Sequence, residues 1–595
     1  MRAWLAVLLI ALAPAAMLEA SAQSKILRVT FQAAETGFDP VRTSDYYSGM
    51  VDEAIYDTLL GYDYLARPAK LVPSAAEAMP TVSADGKTYT VRIKKGIYFT
   101  DDPAFKGKKR ELTAQDFAYS WRRFFDPKYR SPYAFLFTGK IVGLDALGEQ
   151  AKKTGKFDYE APVAGLQTPD RYTLVIRLTE PDVNFQYVLA FPLTSAVARE
   201  VIDAYAEESN AHPVGTGPFY LKRYVRSSKI ELARNPGFRG MTWNFDPGDN
   251  PRFKEIAEKM RGKKLPAIDG VEISIMEETQ SRWLAFQRGE TDIEYQLWEV
   301  SPTFMTDDGQ LKPEFKRRGI KLDRIVDPEI IYMFFNMQDK IDGVPNPVGG
   351  FGKERMALRR AIMMAYKIED QIRIIRKGQA VRAQYPIPPG IVGHDPRYRS
   401  SIVYDPRAAN ALLDRYGYKK GRDGYRHQPN GDSLVIRYTS TPTERDRQFD
   451  ELMTRAFDSI GLRLEIRKER FPEYLKSQRR CRVMFGITAW LADYPDGDNF
   501  MQLLYGPNTG ESNNACYRSA EYDKRYARSR LLHDGPERER LYHEMTRIME
   551  VDGAWLLLDS RIRNSLQQPN VIGFTKHPVL HSEWPYIDLD PRPAD

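Results

Sequence analysis

A chain of 595 residues with a formal net charge of +7 is too long for a single hydrophobic core, so two or three domains are expected. Its 42% apolar and 28% charged content excludes a disordered or fibrous chain. The basic residues are spread over many short elements, and the densest run, Arg479-Arg480-Cys481-Arg482, reads as a solvated turn rather than a nucleic-acid surface.

In chain order, Met1-Arg2 is a short positive start, Ala3 to Leu18 is apolar apart from Pro14, and Ala20-Ser21-Ala22 is a small-x-small cleavage site. Residues 1–22 therefore read as a secretory signal peptide, and the remainder as an exported chain. No Cys follows the apolar stretch to carry a lipid, and no later run approaches 18 apolar residues, so no membrane span is expected. Ile26 to Phe31 is an apolar strand. Asp45 to Leu60 carries Tyr47, Met50, Val51, Ala54, Ile55 and Leu59 at helical spacing, which predicts a helix packed on it.

A hairpin turn at Ala84-Asp85-Gly86-Lys87 leads into the alternating strand Thr88 to Ile93. Thr113, with Asp116 three residues on, starts a helix in the manner of a capping box, and that helix stops at Asp126-Pro127. After a turn at Thr168-Pro169-Asp170 comes a strand, Tyr172 to Leu178, so this part reads as a small α/β domain. Gly215-Thr216-Gly217-Pro218 is not a phosphate loop: no Lys-Ser/Thr follows, and Pro218 lacks the amide such a loop needs. Phe219 to Tyr224 and Lys229 to Ala233 form a hairpin, and a helix from Trp283 to Arg288 precedes the strand Thr291 to Tyr295.

The stretch with the clearest site character is Phe485 to Phe500, an apolar strand that breaks into the turn Tyr494-Pro495-Asp496-Gly497. Turn chemistry suffices to explain Asp496 and Asp498. Asp493 precedes the turn, between Trp490 and Tyr494, and a carboxylate flanked by rings can hold an ammonium group. The chain's two cysteines, Cys481 and Cys516, frame this stretch. A bond between them would contribute roughly 3 to 4 kcal/mol by closing the loop, if the compartment is oxidising; the alternative is two buried thiols.

Catalytic patterns are weak. Asp493 and Asp496 are a conceivable glycosidase pair, which keeps a secreted hydrolase as a remote alternative. There is no Gly-x-Ser-x-Gly elbow, and His543-Glu544-Met545-Thr546-Arg547 has Arg where a zinc protease needs its second His. Seven scattered His do not make a zinc site, so neither an enzyme nor a cofactor is expected.

Asp85-Gly86-Lys87-Thr88-Tyr89, Lys95-Gly96-Ile97-Tyr98-Phe99, Leu112 to Phe117, Gly215 to Phe219 and Phe286 to Asp292 occur in an order that resembles the family 5 extracellular solute-binding proteins. These are the oligopeptide- and dipeptide-binding proteins of ABC importers. The likeness continues through Leu358 to Tyr366, Tyr404 to Ala409, Ala492-Asp493-Tyr494 and Asp498-Asn499-Phe500. It implies an α/β, two-lobed periplasmic binding protein of type II, cluster C-like, with an extra small α/β domain. Lobe I would comprise 23–68, 191–298 and 556–595, the extra domain 69–190, and lobe II 299–555. The implied function is to capture a peptide between the lobes in the periplasm and, as a monomer, deliver it to an ABC permease. Relatives that carry haem, nickel complexes, oligosaccharides or opines keep those ligands open, and a periplasmic sensor or chaperone is a further alternative. The resemblance places the ligand's α-ammonium on Asp493, with Asp496 as the competing carboxylate. Trp490 and Tyr494 are expected as walls, and Tyr46 and Tyr47 face them from the opposing lobe.

Overall fold

The computed structural model describes residues 24–591; the signal-peptide reading of residues 1–22 lies outside them. Strand β1, Ile26–Phe31, pairs in parallel with Gly270–Ile275 and, on its other edge, with Ile293–Tyr295. The hairpin of Phe219–Val225 and Lys229–Arg234 extends the sheet outward from Gly270–Ile275. Helix α1, Tyr46–Ile55, is shorter than the apolar spacing suggested, because Tyr56 is already extended and the chain runs on into the strand Leu60–Tyr62. Asp45 caps its start by accepting the Ser48 N–H at 2.9 Å. Met50, Val51, Ala54 and Ile55 of α1 share one core with Leu27, Val29 and Phe31 of β1.

The Gly-Thr-Gly-Pro loop seats the end of α1. The Gly217 N–H donates to the Ile55 carbonyl at 2.8 Å, and a Cβ on Gly215 would lie 2.1 Å from that same oxygen. Only a residue without a side chain allows this approach. The loop thus fixes the height at which the first turn of α1 stands.

A four-stranded antiparallel sheet with Thr88–Arg92 and Thr173–Arg177 at its centre forms the small α/β unit. Its helix Ala114–Arg123 starts at the expected capping box, with Asp116 accepting both the N–H and the hydroxyl of Thr113. The Thr168-Pro169-Asp170 stretch lies at the end of a strand, Leu166–Asp170, rather than in a turn of its own. A buried two-point ion pair from Arg123 to Asp39, at 2.9 and 2.6 Å, anchors the unit to the first sheet's layer.

Strand β2, Glu329–Phe335, is buried at every position and lies antiparallel between two partners. After it, helix α2, Phe471–Arg479, leads to strand β3, Phe485–Leu491. β3 pairs with β2 on one side and, in parallel, with Val435–Ser440 on the other. Strand β4, Trp555–Gln567, serves both halves of the molecule. Its first residues pair with β2, and its last pair with Lys321–Val326 and Ile293–Tyr295. The chain therefore passes between the halves at Asp327-Pro328 and again near Ser560-Arg561.

This topology corrects the lobe boundary expected at 298/299. Phe304, Leu311 and Phe315 pack with Trp283, Phe286 and Leu566, so residues 301–326 travel with the first sheet. Trp555 and Leu557, by contrast, pack in the second half with Tyr332 and Phe334. Strand β4 turns from the apolar Trp555 to Leu558 to the polar Asp559-Ser560-Arg561 at the crossing, yet it stays largely buried on both sides of it. Cys481 and Cys516 are joined by a disulfide. Among the described residues, no helix is long and apolar enough to cross a membrane.

Candidate functional site

Between the two halves lies a cavity of about 870 Å³, with the segment that follows β1 and the start of α1 on one side, α2 and β3 on the other, and the small unit across one end. The halves touch around it. Arg445 donates to the Gln32 side chain at 3.2 Å, Tyr47 faces Phe471 at 6.5 Å, and Tyr187 of the small unit stacks on Tyr494. The molecule is closed over its cavity.

Asp493 lies two residues beyond β3, where Ala492 donates to the Pro328 carbonyl at 2.9 Å and so ties the site to the crossing point. Its carboxylate lines the cavity while being only 5% exposed, and no cation among the described residues pairs with it. Asn499 holds it in place. The Asn499 Nδ2 donates to Asp493 Oδ2 at 2.8 Å, and Asn499 Oδ1 accepts both the Asp493 backbone N–H at 2.9 Å and the Trp490 indole N–H at 3.0 Å. Burial pushes the Asp493 carboxyl up to about 7, and the Asn499 bond only partly offsets it. A buried carboxyl without a counter-ion favours its neutral form, and a cation brought beside it would favour the ionised one.

Trp490 lines the same cavity and is flanked by Tyr133 and Phe135 of the small unit, with ring centroids 6.1 and 6.2 Å away. Tyr46 and Tyr47 come to the opposite wall on the first turn of α1. Tyr46 is fixed by three contacts. Its hydroxyl donates to the His581 carbonyl at 3.0 Å and accepts from Arg563 at 2.7 Å, and that guanidinium lies 4.9 Å from its ring centre. Tyr47 rests on Phe31. The two carboxylates of the proposed hydrolase pair are not presented together.

Asp496 and Tyr494 stand elsewhere. Arg538, 42 residues on, donates to both Asp496 oxygens at 2.8 and 2.6 Å, so this carboxylate is committed within the second half and does not line the cavity. The Tyr494 hydroxyl donates to Asp498 at 2.7 Å, and its ring is 1% exposed in the core between the small unit and the second half. The expectation that Asp496 competes for the ligand and that Tyr494 forms a wall is corrected on both counts. The turn rotates successive side chains to different sides, and only Asp493 is left on the cavity side.

Three lining residues, Tyr133, Arg479 and Glu511, and the Asn499 that holds Asp493 had no role in the sequence reading. Asn499 sits six residues from the group it holds. Tyr133 reaches the site from the small unit. Arg479, read as part of a solvated turn, is half-buried in the cavity wall. Glu511 lines the cavity with one carboxylate oxygen buried and unpartnered, and burial pushes it up to about 8 against a bond from the Phe135 N–H.

Residues 70–512 match the family model described as bacterial extracellular solute-binding proteins, family 5 Middle. Along nearly its whole length the chain is similar to di/tripeptide-binding protein 2 of Pseudomonas aeruginosa strain UCBPP-PA14, at 26% identity over 98% of each chain. It is also similar to heme-binding protein A of Haemophilus influenzae, at 24% identity over 94% of this chain and 91% of the other. Among solved structures, the Helicobacter pylori periplasmic binding protein DppA in complex with the peptide STSA superposes with a TM-score of 0.75. It is 22% identical, and the match covers 96% of this chain and 98% of that one.

Proposed function

From the premise that this chain belongs to the family 5 bacterial extracellular solute-binding proteins, we propose that its solute is a short peptide with a free amino terminus. The protein captures it between the two lobes and hands it to an ABC permease. The observation that carries this reading is the Asp493 carboxylate, buried, facing the cavity and without a cation of its own. An α-ammonium fills that place, and the Trp490 and Tyr133 rings beside it favour a cation over neutral groups. Tyr46, Tyr47 and Phe471 supply broad apolar walls, which suits side chains of varied shape. The similarity to a di/tripeptide-binding protein and to a peptide-bound structure supports the same class of solute.

The division of labour follows from the topology. Lobe I carries β1 and α1 with the small unit docked on it, lobe II carries β2 and β3, and the two strand crossings act as the hinge. Contacts such as Arg445 to Gln32 exist only when the lobes meet, so a ligand touching both walls shifts the population towards closure. The protein acts as a monomer in the periplasm, exported by its leader and meeting the membrane only through the permease.

Native mass spectrometry of protein isolated from its own export compartment tests the class of solute. A spread of adducts at masses of two to five residues is expected. A single adduct with a visible absorbance band, as haem gives, sinks the peptide reading.

A further inference from the structure

Arg479 ends helix α2, lines the cavity and is half-buried, yet among the described residues its guanidinium has no hydrogen-bond or ion-pair partner. Arg226 and Arg470 line the cavity at its exposed rim, while the other guanidiniums within it are committed. Arg561 binds Glu329, Arg563 binds Asp327 at 2.8 Å, Arg445 holds Gln32, and Arg376 lies 3.5 Å from Asp559. The groups that face Arg479 are the Tyr133 hydroxyl from the small unit and the Asp45 carboxylate from lobe I, with Arg480 adjoining it on its own helix end. Asp45 is already occupied, accepting from Thr36 and from the Ser48 N–H and hydroxyl. It is therefore no salt-bridge partner. Burial lowers the Arg479 guanidinium from its ordinary value, in keeping with a cation that lacks a counter-ion.

Tyr133 places this group relative to the amine site. Its hydroxyl feels the charges of Asp493, Asp45 and Arg479 together, so the unpaired carboxylate and the unpaired guanidinium stand around one side chain. A ligand whose ammonium is on Asp493 passes Tyr133 within its first residues. We propose that Arg479 receives a carboxylate carried on an acidic side chain at the first or second position of the bound peptide, an inference that rests on the peptide reading above. The two-point geometry of a guanidinium on a carboxylate makes such a contact selective against the amide isostere.

Calorimetry with C-terminally amidated tripeptides tests this, because the side chain is then the only carboxylate. Glu-Ala-Ala and Ala-Glu-Ala amides are compared with Gln-Ala-Ala, Ala-Gln-Ala and Ala-Ala-Ala amides on the wild type, Arg479→Gln and Arg479→Lys, and the same five tripeptides with free C-termini are measured alongside. At least one acidic peptide is expected to bind the wild type about tenfold or more tightly than its Gln counterpart. The preference should vanish in Arg479→Gln and return in part in Arg479→Lys. Equal affinities for acidic and amide peptides in the wild type, or an acid preference that survives in Arg479→Gln, overturns the assignment and leaves the peptide reading standing. So does an Arg479 effect seen only with free C-termini, since the partner is then the main-chain carboxylate. If no tripeptide binds the wild type, the peptide reading itself fails and takes this inference with it.

Discussion

Asp493 carries two opposed consequences of burial. In the empty cavity its carboxyl sits at about 7, whereas a bound ammonium requires it ionised. Below pH 7 the site must first lose a proton, so affinity should fall by up to tenfold per pH unit. Above pH 8 the ligand's own α-amine deprotonates and affinity should fall again. Titration calorimetry from pH 5.5 to 8.5 should give a maximum between 7 and 8, with proton release on binding at pH 6.5; a flat profile would place the amine elsewhere. Asp493→Asn should abolish the acid limb and weaken binding by about a hundredfold, as the loss of a charge-assisted contact implies. The same variant should stabilise the ligand-free protein. A carboxylate raised from 3.8 to about 7 contributes fully only below the unfolded value and costs up to a few kcal/mol near neutrality. A higher melting temperature with weaker binding separates this role from mere structural support. Asn499→Ala acts on the same group indirectly. It strips the partner from the Asp493 N–H and the Trp490 indole, at about 1–3 kcal/mol of stability by calorimetry, and should loosen binding and move its acid limb to higher pH, because the bond that favours the ionised carboxyl is lost with it.

At the scale of elements, the disulfide staples the start of β3 to the loop that follows the site. Cys481 and Cys516 are 35 residues apart, and the closed segment holds Trp490, Asp493, Asn499 and Glu511. By the chain-entropy relation this closure contributes about 3–4 kcal/mol. The double variant Cys481→Ala/Cys516→Ala should therefore unfold several degrees lower in a thermal scan while keeping most of its affinity, because Asn499 and not the bridge sets the Asp493 carboxylate. An affinity loss as large as that of Asp493→Asn would show that the bridge positions the site. This stretch also shows what a sequence can reveal. β1, β3 and the capped helix Ala114–Arg123 were legible because apolar runs, turns and caps act over a few residues. Asp493 was legible as the carboxylate ahead of the turn. What escaped was every pairing that long-range folding decides. Arg538 claims Asp496 from 42 residues away, and Tyr133 and Phe135 reach Trp490 from another domain. A basic run that looked solvated delivers Arg479 to the cavity because a helix end happens to point there.

For the whole molecule, closure brings Glu511 of lobe II against the Phe135 N–H of the small unit, and there its carboxyl is pushed up to about 8 by burial. Of the charges that act on it from the small unit, Lys152 opposes the rise and Asp145 adds to it. In an open form the group is solvated and returns towards an ordinary glutamate value near 4.3. The sign follows directly. A carboxyl raised in the closed state favours closure while it is protonated in both states, and this support is lost as pH climbs from about 4 through 8. The ligand-free protein should therefore open progressively across that window. Energy transfer between dyes on the small unit and lobe II, read without ligand from pH 5 to 8.5, should show the distance growing with pH. Glu511→Gln, which keeps the shape and removes the charge, should hold the short distance throughout. A wild-type distance that does not move with pH, or a Gln variant that still opens as pH rises, would mean that the lobes part for a reason other than the charge on Glu511.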